Sequence, residues 1–138
     1  MHFVPIPTTE KALRDSSQHW LPFLPMIAKR SKESIEQLLD RIVSGYTEIA
    51  LIWDDDKVEA QALIGIQYVK CGDELVGEIT WTAGRGMREW EHLVSEVERY
   101  LRERMHCAIM RPVCRPGWSR MMKNHGYRTT HYVMEKRL

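Results

Sequence analysis

The sequence predicts an α/β fold built on one mixed sheet, an antiparallel meander followed by strand-helix-strand-helix-strand. Three observations carry this. Three strand-forming runs, Thr47 to Trp53, Val58 to Tyr68 and Leu75 to Thr82, follow one another with only short turns between them. A charged amphipathic stretch from Arg88 to Arg104 then repeats its apolar residues at helical spacing. The last third continues with a short apolar strand, His106 to Met110, and a second short helix opened by Arg115-Pro116-Gly117-Trp118. The pair Gly126-Tyr127 and a final strand to Leu138 close the chain. A meander that passes into alternating helix and strand makes a mixed sheet.

The elements follow from local chemistry. Residues 1–10 read as a short strand and a loop. Trp20 to Ile27 is apolar but holds Pro22 and Pro25. Proline is accepted in a first helical turn and not deeper, so an irregular or kinked helix is expected. A clear helix follows Ser31, whose hydroxyl can cap free amides; Ile35, Leu38, Leu39 and Ile42 form its buried stripe. Gly45 ends it, since glycine meets no steric penalty in a left-handed C-cap. Thr47 to Trp53 is nearly all apolar and reads as an interior strand. Asp54-Asp55-Asp56-Lys57 is a turn. In the second run Val58, Ala60, Ala62, Ile64, Ile66 and Tyr68 alternate onto one face. Gly72-Asp73 turns the chain into the third run. Ala83-Gly84-Arg85-Gly86 breaks the pattern and opens the long helix, with Trp90, Leu93, Val94, Val97 and Leu101 as its apolar stripe. Glu98 and Arg102 stand four residues apart in the favourable order for an ion pair.

A chain of 138 residues suits one domain, residues 1–138. It can bury roughly two-thirds of its unfolded surface, so it needs no metal or disulfide to fold. Its composition, 43% hydrophobic and 28% charged, is that of an ordinary globular protein. No apolar run approaches the ~20 residues of a membrane span. Met1-His2-Phe3-Val4-Pro5 lacks the basic-then-apolar layout of a signal peptide, which makes the cytosol the expected location. Cys71, Cys107 and Cys114 are an odd set without Cys-x-x-Cys spacing, against a disulfide framework or a structural zinc site. His106, Cys107, Cys114 and His125 match no ligand spacing, and the three aspartates at 54–56 read as a solvated hairpin tip. No metal is expected. The charge is uneven. Residues 1–100 carry 11 Lys/Arg against 17 Asp/Glu, a net −6, and residues 101–138 carry 9 against 2, a net +7. Such a basic lobe suits phosphates or an acidic partner surface, or simply faces the acidic N-terminal part.

Several motifs together resemble the GNAT acyltransferase superfamily along nearly the whole chain. They are Trp20 before a double helix, Leu51-Ile52-Trp53 on the first core strand, and Gly86-Met87-Arg88-Glu89-Trp90 opening the long helix. The most specific is Arg115-Pro116-Gly117-Trp118-Ser119-Arg120 followed by Gly126-Tyr127. More narrowly, the pattern is similar to small GNAT-like proteins of tailed bacteriophages. The resemblance implies acetyl-CoA as cofactor. Backbone groups at Trp81 and Thr82 would hold its pantetheine arm, and Gly84, Arg85, Gly86, Arg88 and Arg115 would meet its phosphates. Glycines at a helix start let amides approach a pyrophosphate.

In active members this loop usually reads Gln/Arg-x-x-Gly-x-Gly/Ala. With Arg85 first, the two small positions fall on Arg88 and Trp90, which crowd a phosphate path. A register using Gly84 and Gly86 lengthens the helix instead. The tyrosine that would protonate the leaving thiolate falls on Met122, and a thioether donates no proton. Tyr127 and Tyr132 remain as phenols. Glu78, near the middle of its strand, is the candidate general base, ahead of Glu48 and Glu59. His92, on the long helix, reads as solvent-facing.

Two functions follow. The altered loop, the missing tyrosine and the charge asymmetry point to a phage-type GNAT-fold protein, weakly or non-catalytic, acting in virion structure or assembly through protein contacts. It would sit in a bacterial host cytoplasm or a virion. The alternative is an active acetyl-CoA-dependent N-acetyltransferase of an amine, since direct attack needs little beyond positioning. Protein partners are expected, and a homo-oligomer is open. Nucleic acid is set aside, because no nucleic-acid motif accompanies the basic charge, and a membrane partner is not expected.

Overall fold

The computed structural model covers residues 1–138. Its elements are β1 (His2–Pro5), α1 (Glu10–Trp20), α2 (Leu24–Ser31), α3 (Ile35–Val43), β2 (Glu48–Asp54), β3 (Glu59–Cys71), β4 (Glu74–Gly84), α4 (Met87–Trp90), α5 (Val94–Arg99), β5 (Ile109–Pro112) and α6 (Pro116–Met122). The five strands lie in chain order. β1 to β4 are antiparallel, and β5 runs parallel to β4. This is the mixed α/β sheet that the sequence predicts.

Each face of the sheet carries its own core. On one, Trp20, Leu24, Ile27, Leu38 and Ile42 of α1–α3 pack on Ile49, Leu51, Leu63 and Trp81. On the other, Trp90, Leu93, Val97 and Leu101 pack on Ile52, Ile64, Ile66 and Ile79. The prolines sit where they are tolerated. Pro22 lies in the first turn of a 3-10 segment at Leu21–Phe23 and Pro25 in the first turn of α2, so the expected kink is there. Ser31 closes α2 and does not cap α3. Ser34 does: its Oγ accepts from Gln37 N at 3.1 Å, and Gln37 Oε1 accepts from Ser34 N at 2.8 Å. This reciprocal pair satisfies two free donors at once. Gly45 adopts φ +81° just beyond α3, as its position after the apolar stripe implies.

Both long strands carry a bulge, and here the simple alternation fails. Ile52 pairs with Ala62 but Trp53 with Ala60, leaving Gln61 as an extra residue. Ala60 therefore packs on the α1–α3 face and Ala62, Ile64 and Ile66 on the other, not all on one. Val58 lies outside β3, in the turn at φ +53°. In β4, Ile79 pairs with Ile66 and Trp81 with Gly65, so Thr80 is the extra residue. An inserted residue bends a strand and re-aims its side chains.

The long helix is interrupted. α4 gives way to a 3-10 segment at Glu91–Leu93, then α5, then a π turn at Tyr100–Arg104. The stripe still holds: Trp90, Leu93, Val94, Val97 and Leu101 are all buried. The Glu98–Arg102 pair does not form: Glu98 accepts from Tyr127 Oη at 2.9 Å, and Arg102 lies 4.0 Å from Glu103. The fifth strand starts at Ile109, not His106, which turns at φ +58°. The final strand to Leu138 is absent, for residues 127–138 are neither helix nor strand. Tyr127 is held on α5 through Glu98, and Glu135 reaches Lys32 beyond α2 at 3.6 Å. The tail is thereby led across the molecule toward α2.

Candidate active site

The sheet opens where the sequence places the cofactor. β4 and β5 pair from Val76–Ile109 to Ile79–Pro112, and Val113 N still donates to Ile79 O at 2.9 Å. Beyond that point β4 keeps β3 on one side but has no strand on the other, through Trp81 and Thr82 to Gly84. The divergence begins at the Thr80 bulge, whose Oγ1 donates to Gly65 O at 3.4 Å. Bulge and bare edge thus make a splayed cleft between the two parallel strands.

The cleft is largely filled. Ile79 and Thr82 of β4, Val113 beyond β5, Trp90 of α4, and Trp118 and Met122 of α6 line it. The Trp90 and Trp118 rings approach to 5.5 Å at 57°. The void left is ≈ 30 Å³, room for about one or two water molecules. Trp90 Nε1 is buried there without a hydrogen-bond partner. The bare edge is also engaged, since Arg30 of α2 donates from Nη1 to Thr82 O at 3.2 Å. Arg30 drew no notice in the sequence; nothing in the pattern of α2 marks it, and only the approach of that helix to β4 brings it here.

The loop residues have structural explanations. A Cβ on Gly84, whose φ is +151°, would lie 2.3 Å from Gln61 O. This glycine is required by the neighbouring strand, whether or not a phosphate is present. Gly86, at φ +56°, precedes a helix of only four residues, and the Glu89 side chain folds back against it. So short a helix has little macrodipole, and a carboxylate already lies where an anion would approach. Arg85 on this loop and Arg88 in α4 are exposed, and Arg85 N extends the β3 ladder by donating to Gln61 O at 3.0 Å. Trp90 does not crowd the loop as its spacing implies. It turns inward, 4% exposed, and fills the cleft instead. Arg115 is exposed at the start of α6. Taken together, these residues narrow the splay, and the loop glycines have roles within the fold that need no phosphate.

The candidate catalytic groups are dispersed. Glu78 Oε2 accepts from Arg111 of β5 at 3.0 Å and 2.8 Å, from Nε and Nη2. Glu78 also holds the Arg111 guanidinium more firmly protonated. Glu78 is absent from the cleft lining, and the alternation of β4 places it opposite Gly77, which faces Leu101. Trp81 is core, packed over Gly65, so only its backbone is available to the cleft. Met122 is buried, and no phenol joins it. Tyr127 is bound to Glu98, with burial and that bond raising its pKa, while Tyr132 is 87% exposed. Glu48 accepts from Tyr68 at 2.7 Å and from Tyr100 at 2.9 Å, away from the cleft. His92 is exposed. No group of three His, Cys, Asp or Glu side chains is placed to hold a metal ion, and no helix is long and apolar enough to cross a membrane.

No protein-family model and no curated protein matches this chain. Solved structures do. A probable acetyltransferase aligns over 100% of this chain and 97% of its own, with a TM-score of 0.67 at 14% identity. A possible acetyltransferase from Clostridium difficile 630 aligns over 99% and 96%, with a TM-score of 0.69 at 10% identity. The fold is that of the GNAT acetyltransferases. Glucosamine-6-phosphate N-acetyltransferase from Arabidopsis thaliana shares it over 99% of both chains, with a TM-score of 0.62 at 14% identity. The likeness of fold spans the whole length of this chain.

Proposed function

We propose that this chain is a GNAT-fold protein with a divergent acyl-CoA site, weakly or not catalytic, that works through protein contacts. The closed cleft carries this reading. Trp90, Trp118 and Met122 occupy the splay, Arg30 takes an acceptor on the β4 edge, and Glu89 lies against the loop. A scaffold of this kind can be reused after its site has decayed. The basic C-terminal lobe, with exposed arginines, then supplies contact surface. The virion or assembly setting rests on the sequence resemblance to phage proteins alone.

Acetyl transfer to an amine is the second reading. The bulge at Thr80 and the unpaired β4 edge beyond Ile79 favour it, for these survive even though the cleft is filled. Calorimetric titration of the purified chain with acetyl-CoA separates the two. No heat at millimolar cofactor is expected. Micromolar binding would overturn the proposal and put acetyl transfer first.

A further inference from the structure

A second cavity, of ≈ 610 Å³, lies at the β1 edge of the sheet, between that edge and α5. No residue lines both it and the splay. Its origin is local. The β1 ladder ends as Ile6 N donates to Ile49 O at 2.9 Å, and Pro7 has no N–H to extend it. Across the gap the long helix takes its π turn. Met105 N donates to Tyr100 O at 3.2 Å, one residue further back than an α-helix reaches. Such turns are frequent at functional sites. This one leaves Arg99, Tyr100, Glu103 and Arg104 all lining the cavity.

Glu48 is the half-buried carboxylate of the lining. Its Oε1 accepts from Tyr68 Oη at 2.7 Å and from Tyr100 Oη at 2.9 Å, and its Oε2 accepts from Tyr100 Oη at 2.9 Å. Two neutral phenols thus fix the carboxylate and leave its charge unbalanced. Half-buried Glu33 and Glu78 hold Arg41 and Arg111 at 2.7 Å and 2.8 Å, but Glu48 has no ion-pair partner. A charge taken out of water is ordinarily paired. Phe3 meets the Tyr100 ring edge-on at 5.4 Å and, with Pro5 and Ile6, forms an apolar wall. Arg99 and Arg104 stand exposed on the same cavity, and neither has an ion-pair partner.

We propose that this cavity binds an α-amino acid with an apolar side chain, its ammonium on Glu48, its carboxylate on Arg99 and Arg104, and its side chain against Phe3, Ile6 and Tyr100. The charges choose the ligand. With Glu96 and Glu103, three carboxylates and two guanidiniums face one space. A bare anion is opposed by the carboxylates and a bare cation by the guanidiniums, whereas a molecule of both signs can meet each with its opposite. Hydrogen bonding sets the direction. Both phenol hydrogens are already given to Glu48, so the end of the ligand that reaches it must bring its own donors, as an ammonium does. Guanidiniums only donate, in a fork that matches a carboxylate. Aromatic rings beside the ammonium add attraction, and the volume is that of a small-molecule site. This ligand site rests neither on the closed cleft nor on protein contacts.

The test is titration of the isotope-labelled full chain with L-phenylalanine and L-leucine, read from the amide chemical shifts of residues 96–104. Sub-millimolar dissociation constants are expected. Phenethylamine, which lacks the carboxylate, and 3-phenylpropionate, which lacks the ammonium, should each bind at least about tenfold more weakly than phenylalanine. Glu48→Gln keeps the shape and loses the charge. It should weaken phenylalanine and phenethylamine at least about tenfold and spare 3-phenylpropionate. Replacing both arginines, Arg99→Met with Arg104→Met, should weaken phenylalanine and 3-phenylpropionate and spare phenethylamine. An unchanged near-ultraviolet circular dichroism spectrum verifies that each variant is folded. The two arginines are exposed, so their variant carries the test if Glu48→Gln unfolds. No shift with either amino acid at millimolar concentration overturns the proposal. So does phenylalanine binding that the amine or the acid alone matches, or that the arginine variant leaves unchanged.

Discussion

Trp90 and Trp118 meet at 5.5 Å and 57°, tying α4 to α6 across the splay of β4 and β5. Trp118→Ala removes that tie and opens the cleft. It should cost about 2 kcal/mol, because the ring is only partly buried. If the ring is what excludes cofactor, acetyl-CoA affinity rises at least about tenfold by calorimetry. Trp90→Phe is the companion variant. It deletes a buried N–H that has no partner, a group that costs about 1–3 kcal/mol when unsatisfied, and so offsets its lost volume and leaves Tm near that of wild type. Trp90→Gly is uninformative for cofactor binding, since emptying this core site should cost about 3–5 kcal/mol.

Glu78 and Arg111 form a two-bond ion pair with side chains 20% and 32% exposed. Glu78→Gln keeps the shape and loses the charge, and chemical denaturation should show a loss of about 1 kcal/mol. The same loss in Arg111→Met identifies the carboxylate as a structural partner. A fall in acetyl-CoA turnover in Glu78→Gln at unchanged stability would instead mark it as the base.

Burial, and then its bond to Glu48, push the Tyr100 pKa up from 10.0 to about 12, and burial and the same carboxylate raise Tyr68 further. The neutral phenol is the form the fold holds. Its contribution is complete below pH 10, where both states are protonated, and is lost as pH rises toward about 12. Thermal melts should show Tm falling through this window. Tyr100→Phe should lower Tm at neutral pH and flatten the alkaline slope.

Gly84→Ala places a Cβ 2.3 Å from Gln61 O at a φ of +151°. A backbone oxygen cannot step aside as a side chain can, so the substitution should cost at least about 2 kcal/mol. Gly86→Ala, whose Cβ meets the mobile end of Glu89 at 3.1 Å, should cost less. Equal losses at the two positions would contradict the β3 contact as the reason for Gly84.

The strand runs and helical stripes of this chain were legible because one-face burial imposes periods of 2.0 and 3.6 on the residues themselves. Leu38, Ile42, Leu93 and Val97 are buried as their spacing requires, whereas Ile35, expected in the same stripe, is 42% exposed in the first turn of α3. Where one residue is inserted into a strand, the period survives on each side and only the face changes. Gln61 and Thr80 bear no composition signal for that, so Ala60 was assigned to the wrong face. The cap passed from Ser31 to Ser34 for a similar reason: both are serines before an apolar stripe, and the α2 backbone decides which one is free. The candidate site was legible as a place and not as a shape. The loop, Glu78 and Arg115 could be named from motif positions, but not the inward turn of Trp90, the reach of Arg30 to Thr82, or the capture of Glu78 by Arg111.

By itself the sequence determined the order of the elements up to the last helix, the apolar stripe of the long helix and the absence of a tyrosine at Met122, all of which depend on local spacing or residue identity. Tertiary structure alone decided that the cleft is filled, that the long helix breaks into pieces and that the last segment finds no strand partner. These depend on contacts between residues far apart in the chain, such as Trp90 with Trp118 and Lys32 with Glu135. Side-chain volume and ion pairing act through space, and no local pattern encodes which distant groups will meet.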